Sequence, residues 1–245
     1  MTRKRADILL VERGLFDSRA KARAAIEAGR VTAAGRRLAR ASDLVDDDAA
    51  IEAQPAHPFV GRGALKLVRA LELWPIRVEG RVVLDVGAST GGFTEVCLGA
   101  GARRVYAVDV GRGQLHPKVA ADPRVVSLEG VDARVLDAAR VPEPPELVVC
   151  DVSFIGLAKA LPAALALAAP GADLVVLVKP QFEVGREFVG KGGVVRDAAA
   201  QHRAVDAAQM FLAAEGWTAR AAADSPVAGG DGNREFLVWA TKGPG

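Results

Sequence analysis

From residue 59 onward, short apolar runs alternate with segments of helical periodicity. Strands are predicted near residues 81–86, 104–109, 124–128, 146–151, 173–179, 217–224 and 234–241. The run at 82–86 is continuous rather than alternating, as in a parallel strand that is buried on both faces. Helices are expected between most strands, including 63–73 and 198–215. This alternation predicts a doubly wound α/β domain.

The first 53 residues have a different pattern, with two short helices followed by short strand-like pieces. The first helix starts at Ala6, the second starts at Asp17 or Ser18, and glycines end both. Two prolines in the next five residues favour an extended linker. The predicted organisation is a small α+β domain over 1–53, a linker over 54–58 and the larger domain over 59–245.

Basic residues are concentrated at the N-terminus. Residues 1–40 contain eleven Lys and Arg against four Asp and Glu, a net charge of +7, whereas the whole chain carries +2. Such clustering on a short module is typical of a surface that binds a polyanion, and RNA is the partner we expect. The residues predicted to contact RNA are Arg3, Lys4, Arg5, Arg19, Lys21, Arg23, Arg30 and Arg36.

Composition points to an ordinary globular protein, because half of the residues are hydrophobic. The only two cysteines, Cys97 and Cys150, have no spacing typical of a disulfide framework or a metal site. The sequence contains no signal-peptide core and no apolar segment that could span a bilayer. We therefore expect a cytoplasmic protein with no metal requirement.

A glycine-rich turn follows the first strand of the larger domain. An apolar run containing Asp85 continues into Gly87-x-x-x-Gly91-Gly92, where backbone N–H groups can approach a ligand closely. Asp109 ends the next strand about 20 residues later, where a carboxylate can hold a ribose diol. The spacing differs from the G-x-G-x-x-G of dinucleotide sites, so it favours S-adenosylmethionine, which has no phosphate.

Charged residues also follow two later strands. Asp151 follows the fourth predicted strand and Lys179 follows the fifth. Because ligands of an open α/β sheet bind beyond the carboxyl ends of its strands, both side chains are expected at the rim of the site. Lys66, from the helix before the first strand, and Glu235, from the last strand, complete a set of two lysines and two carboxylates.

This set has the identity and order of the catalytic tetrad in the FtsJ-like ribose 2′-O-methyltransferases, which the larger domain resembles. The first 53 residues resemble the S-four type of RNA-binding domain, through Ser18-Arg19, the alanine-rich helix at 20–28 and Gly29-Arg30-Val31. The whole chain resembles the TlyA, or hemolysin A, family, which joins these two domains. The segments that carry the resemblance in the larger domain are 61–67, 85–94, 107–111, 151–155, 178–185 and 232–236.

The resemblance implies a class I methyltransferase sheet of seven strands, S-adenosylmethionine as cofactor and a cytidine of ribosomal RNA as acceptor. Lys179 would act on the ribose hydroxyl, either as a neutral base or as a cation beside the developing alkoxide. Asp151 and Glu235 would hold the two lysines, and Lys66 would orient the ribose. The predicted cofactor contacts are Asp85, Gly87, Ser89, Gly91, Gly92, Phe93 and Asp109, with Asp132 near the adenine.

Other methyl acceptors have different sequence signatures. A base amine usually calls for Asp/Asn-Pro-Pro-aromatic at the fourth strand, but the four residues from Asp151 contain no proline. Methylation of cytosine C5 needs a nucleophilic cysteine, and strand alternation turns Cys150 away from the side to which Asp151 points.

Two other function classes stay open as alternatives. A non-catalytic RNA-binding or ribosome-assembly factor could have the same domains. A membrane-lytic hemolysin would need a segment able to insert, and the sequence offers no convincing candidate. The basic, glycine-rich loop at 185–193 is either a flexible connection or a lid that orders on RNA.

Overall fold

The chain folds into two units, Met1–Pro58 and Phe59–Gly245. The structure, a computed structural model, describes residues 2–244. Within that range, none of the helices combines the length and the hydrophobicity that a membrane span requires.

The first unit is a small α+β fold. Its elements are β1 (Arg3–Arg5), α1 (Ala6–Glu12), α2 (Arg19–Glu27), β2 (Val31–Ala33), β3 (Arg36–Arg37), β4 (Leu44–Asp46) and β5 (Ile51–Ala53). Strand β2 lies between β3 and β5 and is antiparallel to both, and β1 pairs with β4. Ser18 caps the N-terminus of helix α2, and its hydroxyl accepts the Lys21 N–H at 3.3 Å. The sequence did not predict β1 and β4, because three residues are too few to show a period.

One buried carboxylate links the two helices of this unit. Asp7, on α1, accepts hydrogen bonds from Arg5 and from Arg19, the first residue of α2. The Arg5 hydrogen bonds, with those of Arg19, lower the pKa of Asp7 to about 2. The carboxylate is therefore charged at neutral pH, and it forms ion pairs with two of the arginines that are predicted to contact RNA.

The second unit is an α/β sheet with helices on both faces. Its strands are β6 (Val82–Val86), β7 (Arg104–Asp109), β8 (Val125–Glu129), β9 (Leu147–Cys150), β10 (Asp173–Val178), β11 (Trp217–Asp224) and β12 (Phe236–Lys242). Its helices are α3 (Ala64–Leu73), α4 (Gly92–Gly99), α5 (Pro117–Ala120), α6 (Leu157–Ala160), α7 (Pro162–Leu167), α8 (Pro180–Glu183) and α9 (Ala198–Ala214).

The strand order is β11-β12-β10-β9-β6-β7-β8. Strand β12 is antiparallel to both of its neighbours, and the pairs among β6 to β10 are parallel. The predicted seven-stranded sheet is confirmed.

Alternate residues of the central strand β6 face two separate layers of the core. Leu84 packs in the cluster that includes Leu161, beside α6 and α7, and Val83 packs in the cluster that includes Leu67 and Phe93, from α3 and α4. Burial on both faces explains why the run at 82–86 is continuously apolar apart from Asp85, which lies on the α4 side.

Candidate active site

The four residues of the predicted tetrad meet at one edge of the sheet. Asp151 directly follows β9, and Lys179 directly follows β10. Glu235 directly precedes β12, and because β12 is antiparallel, with Phe236 opposite Val178, its start lies at the edge where β10 ends. Lys66 reaches the same edge from α3. Four segments that are distant in sequence thus supply one cluster.

Three ion pairs connect these residues in a chain. Lys66 Nζ lies 2.7 Å from Glu235 Oε2 and 3.1 Å from Asp151 Oδ2, and Lys179 Nζ lies 2.6 Å from Asp151 Oδ1. Asp151 therefore bridges the two lysines. Lys66, Lys179 and Glu235 are only 6%, 7% and 3% exposed. Buried charges of this kind are stable only when paired, and here two cations balance two carboxylates.

A cavity of about 290 Å³ opens beside this cluster. Lys66, Asp151 and Lys179 line this cavity. Glu235 does not line it, and its contact with the cluster is the ion pair with Lys66. The predicted cofactor residues Gly87, Ser89, Gly92 and Phe93 also line this cavity.

Arg62 and Ser153 are two of the lining residues that were not assigned a role from the sequence. Arg62 is exposed and forms no ion pair within the described part of the chain. Ser153 accepts a hydrogen bond from Lys179 Nζ at 2.8 Å. Both lie in segments that carry the family resemblance, 61–67 and 151–155, but that resemblance gave neither of them a role.

A second cavity, of about 620 Å³, shares Gly87, Ser89, Asp151 and Ser153 with the first. A Cβ atom at Gly87 would lie 2.7 Å from the Asp151 carbonyl oxygen, and the φ of Gly87 is +86°. Only glycine fits this position, because any side chain would meet both the strain of a positive φ and the neighbouring backbone. The glycine turn therefore forms the common wall of the two cavities.

Asp109 lies in the larger cavity, as its position at the end of β7 predicts. Its Oδ2 accepts the Ser89 N–H at 2.8 Å and its Oδ1 accepts the Gly111 N–H at 2.7 Å. Each carboxylate oxygen keeps a further lone pair for a ligand hydroxyl. Asp109 thus joins the glycine turn to the loop after β7 and offers acceptors to a diol.

The far side of the larger cavity is partly apolar. Val110 and Phe154 line it and are 71% and 90% exposed, so two large apolar surfaces face a ligand of this cavity. Asp132 also lines it, but its carboxylate accepts hydrogen bonds from Arg134, and these lower its pKa. A contact between Asp132 and an adenine stays a prediction.

Asp85 and Gly91 line neither cavity, so the structure does not support the predicted direct contacts with the cofactor. Asp85 is fully buried, and its Oδ2 accepts the Thr94 hydroxyl hydrogen bond at 2.6 Å. Burial raises its pKa to about 7. Gly91 is the residue before α4, with φ +89°. Both residues shape the turn between β6 and α4 rather than its ligand-facing surface.

Cys150 lies in the core, as strand alternation predicts. It is fully buried in the cluster that includes Leu84, and burial raises the pKa of its thiol. A protonated, enclosed thiol cannot act as a nucleophile in the cavities.

The glycine-rich loop at 185–193 contains two short 3₁₀ turns, Arg186–Phe188 and Lys191–Gly193. The side chain of buried Asn233 forms two hydrogen bonds at the end of this loop, both at 2.9 Å. It donates to the Gly193 carbonyl and accepts the Val195 N–H. The loop is therefore attached to the segment that carries Glu235, and its role as a lid stays a prediction.

Most of the cations predicted to contact RNA are paired with acids of the first unit. Besides Arg5 and Arg19, the pairs are Arg3–Asp46, Lys4–Glu12, Lys4–Asp47, Lys21–Asp17 and Arg23–Glu27. Arg30 and Arg36 are exposed and have no ion pair within residues 2–244. The net charge of +7 over residues 1–40 already subtracts the acids of that range, but Asp46 and Asp47 lie outside it, so the count overstates the charge of this surface.

Metal ligands are not grouped anywhere in the part of the chain that the structure describes: no cluster of three or more His, Cys, Asp or Glu residues could hold an ion.

Comparison with known proteins gives two family matches, an FtsJ-like methyltransferase over residues 59–242 and an S4 domain over residues 4–51. The 16S/23S rRNA (cytidine-2′-O)-methyltransferase TlyA of Mycobacterium tuberculosis is 46% identical, over 97% of this chain and 89% of its own. Hemolysin A of Brachyspira hyodysenteriae is 36% identical, over 96% and 98%. A solved structure described as a hemolysin, from Streptococcus thermophilus, has a TM-score of 0.78 and 38% identity, over 99% and 90%.

The buried carboxyl of Asp85 predicts a pH-dependent stability difference. An ordinary Asp ionises near pH 4, whereas burial raises the pKa of Asp85 to about 7 in the folded chain. Between pH 4 and pH 7 the Asp85 side chain is ionised in the unfolded state but protonated in the folded state. The free energy of unfolding therefore falls by up to about 1.4 kcal/mol for each pH unit as the pH rises. Asp85→Asn keeps an acceptor for Thr94 and removes this loss. The thermal midpoint of Asp85→Asn, relative to that of wild type, should rise between pH 5 and pH 7 and stay constant above pH 7.

The control is Asp206→Asn, which changes an exposed aspartate on α9. Its midpoint should follow that of wild type at every pH. A constant difference between Asp85→Asn and wild type across this range would show that Asp85 is not protonated by burial.

Proposed function

Because the chain belongs to the FtsJ-like methyltransferase family, with an S4 domain ahead of the catalytic unit, we propose that it transfers a methyl group from S-adenosylmethionine to the ribose 2′-hydroxyl of a cytidine in ribosomal RNA. The relative from Mycobacterium tuberculosis is named for this reaction and matches nearly the whole chain. A ribosomal substrate implies that the enzyme works in the cytoplasm.

The observation that carries the proposal is the position of the tetrad beside two connected cavities. The larger cavity has the carboxylate of Asp109 for a diol, and the smaller has Lys179 and Lys66 for an acceptor. Both cavities are lined by the glycine turn. A methyl donor in the larger cavity and a ribose hydroxyl in the smaller cavity would therefore lie next to each other. Methyl transfer requires that proximity, because in-line positioning supplies much of the rate.

Lys179 is the residue we assign to the acceptor hydroxyl. A ribose hydroxyl is a weak nucleophile, and Lys179 Nζ can either accept its proton or stabilise the developing alkoxide as a cation. Asp151 fixes Nζ at 2.6 Å. Lys66, held by Glu235 and Asp151, presents a second cation at the cavity for orienting the ribose.

The residues of the larger cavity suit S-adenosylmethionine. When bound, this cofactor supplies an electrophilic methyl group on a sulfonium. Asp109 would hold the ribose hydroxyls, the exposed side chains of Val110 and Phe154 offer apolar surface to the adenine, and Asp132 is the candidate for its amine. The backbone around Gly87 and Ser89 would accommodate the methionine end, where no side chain can intrude.

The first unit would dock the RNA. Among the cations predicted to contact RNA, Arg30 and Arg36 have no ion pair within residues 2–244 and are the strongest candidates for phosphate contacts. The paired cations must first separate from a carboxylate. Arg62 adds an exposed cation at the mouth of the smaller cavity.

The proposal predicts methyl transfer that depends on Lys179. Labelled S-adenosylmethionine should methylate one of the separated, unmodified ribosomal subunits. Lys179→Ala should lower the rate by about 100-fold or more, because it removes the group that assists the hydroxyl. Lys159→Ala, at an exposed lysine on α6, is the matched control and should keep wild-type activity.

No label on either subunit, with RNA binding intact, would contradict the enzyme and favour an assembly factor. Equal rates for wild type and Lys179→Ala would instead contradict the assignment of Lys179.

Loss of the Asp109 carboxylate should weaken cofactor binding. Asp109→Ala removes the diol acceptors and releases the Ser89 and Gly111 amides. Because hydrogen bonds to a charged group contribute about 1.5–3 kcal/mol, calorimetry should show S-adenosylmethionine binding about 10- to 100-fold more weakly. Asp206→Ala should bind like wild type, and an Asp109→Ala affinity within about twofold of wild type would refute this diol site.

Unpaired and paired arginines should differ in their effect on RNA affinity. Neutralising Arg36, as Arg36→Gln, should reduce the slope of log affinity against log salt by about 0.7–0.9, the value for one phosphate contact. Arg23→Gln, which removes a cation already paired with Glu27 at 2.7 Å, should reduce it by less. Titrations of a ribosomal RNA fragment at several salt concentrations measure both slopes. A larger reduction for Arg23→Gln would show that the ion pairs do not decide which arginines contact RNA.

A further inference from the structure

Ser153 contacts the reactive end of Lys179 and lies where the two cavities meet. Its Oγ is 2.8 Å from Lys179 Nζ, and its side chain is exposed in both cavities. It is two residues beyond Asp151, on the loop after β9, so the same loop supplies both partners of the Lys179 amine.

These two partners determine how the Lys179 nitrogen is oriented. An amine nitrogen has three positions apart from its own carbon. Ser153 Oγ takes one of them as a hydrogen-bond acceptor, whereas Asp151 Oδ1 lies 2.6 Å away as an ion-pair partner without hydrogen-bond geometry. No further partner lies against Nζ among residues 2–244, and Lys179 lines the smaller cavity. A position of Nζ therefore stays available to an acceptor hydroxyl.

Asp151 alone would not hold this orientation. Its other oxygen is engaged by Lys66 at 3.1 Å, so it offers Lys179 a single contact. One contact fixes the distance of Nζ but leaves the amine free to rotate about its bond to carbon. A second acceptor at a different angle removes that freedom, and Ser153 is the residue that supplies it.

We propose that Ser153 is a positioning residue for methyl transfer, whose hydrogen bond fixes the direction of the Lys179 amine while Asp151 supplies the opposite charge, so that a free position of Nζ faces the ribose hydroxyl. The inference rests on the proposed function. In the reaction the 2′-oxygen bonds to the methyl carbon while the carbon–sulfur bond breaks, and the hydroxyl proton leaves to Lys179 or to water. Ser153 exchanges no proton and forms no bond, so its effect is on the geometry of Lys179 alone.

The test compares four enzymes on the ribosomal subunit that wild type methylates. Ser153→Ala removes the acceptor, Ser153→Thr keeps the hydroxyl, and Ser153→Cys replaces it with a weaker acceptor of similar size. Ser127→Ala, at an exposed serine on β8, is the matched control. The readouts are kcat, the KM for each substrate and the thermal midpoint.

We expect Ser153→Ala to lower kcat about tenfold, the loss typical of one hydrogen bond to a charged or reacting group. Both KM values should stay within about twofold, because Ser153 acts on Lys179 and not on binding. Ser153→Thr should recover most of kcat, and Ser153→Cys should fall between the alanine and wild-type values. All thermal midpoints, and every value for Ser127→Ala, should match wild type.

Three results would overturn the inference: an unchanged kcat for Ser153→Ala, a loss that appears in KM instead of kcat, or a threonine variant as slow as the alanine variant. Each of these leaves wild-type methylation in place, so the proposed function would stand. Absence of methylation by the wild-type enzyme would contradict both the role of Ser153 and the proposed function.

Discussion

The structure of the site depends on pairing two buried lysines with two carboxylates, the buried Glu235 and the partly buried Asp151. A lone charge at such depth would cost several kcal/mol, and removal of one member of a buried pair typically costs about 3–5 kcal/mol. Asp151 is the central member, because one oxygen meets Lys66 and the other meets Lys179. Glu235 pairs with Lys66 and supplies the second negative charge of the cluster. The sheet must therefore bring α3, β9, β10 and β12 to one edge for any member of the cluster to be stable.

The same edge brings the two cavities together. Parallel strands present their carboxyl ends on one side, so β6 and β7 place the glycine turn and Asp109 beside the charges that follow β9 and β10. Gly87 lies against the Asp151 backbone so closely that a side chain would separate them. The backbone contact thus keeps the donor cavity and the acceptor cavity adjacent, which is the geometrical requirement of a transfer reaction. Because its charges balance, the cluster does not attract the RNA backbone electrostatically. We expect arginines outside the cluster to provide that attraction.

Strand periodicity and strand ends predicted most of this arrangement from sequence. Asp151 and Lys179 could be placed at the rim because each follows an apolar run, and Lys66 and Glu235 followed from the family resemblance. Asp85 could not be assigned correctly, since its position in a motif does not reveal that α4 covers it and that Thr94 takes its hydrogen bond. The pairing of Arg5 and Arg19 with Asp7 was equally hidden, because a count of charges carries no distances. Ser153 lies in a segment that carries the family resemblance, but its contact with Lys179 could not be read from the sequence.

The nucleoside product tests the central claim most directly. Ribosomal RNA labelled by the wild-type enzyme would be digested to nucleosides and separated by chromatography with mass detection. The geometry of Lys179, next to a cavity without an available thiol, predicts methylation of a ribose hydroxyl, and the reaction named for the relative from Mycobacterium tuberculosis predicts cytidine as the base. Label is therefore expected in 2′-O-methylcytidine, and in no nucleoside when Lys179→Ala is used. Label in a base-methylated nucleoside such as 5-methylcytidine would contradict the account, because the only cysteine near the rim, Cys150, is fully buried in the core.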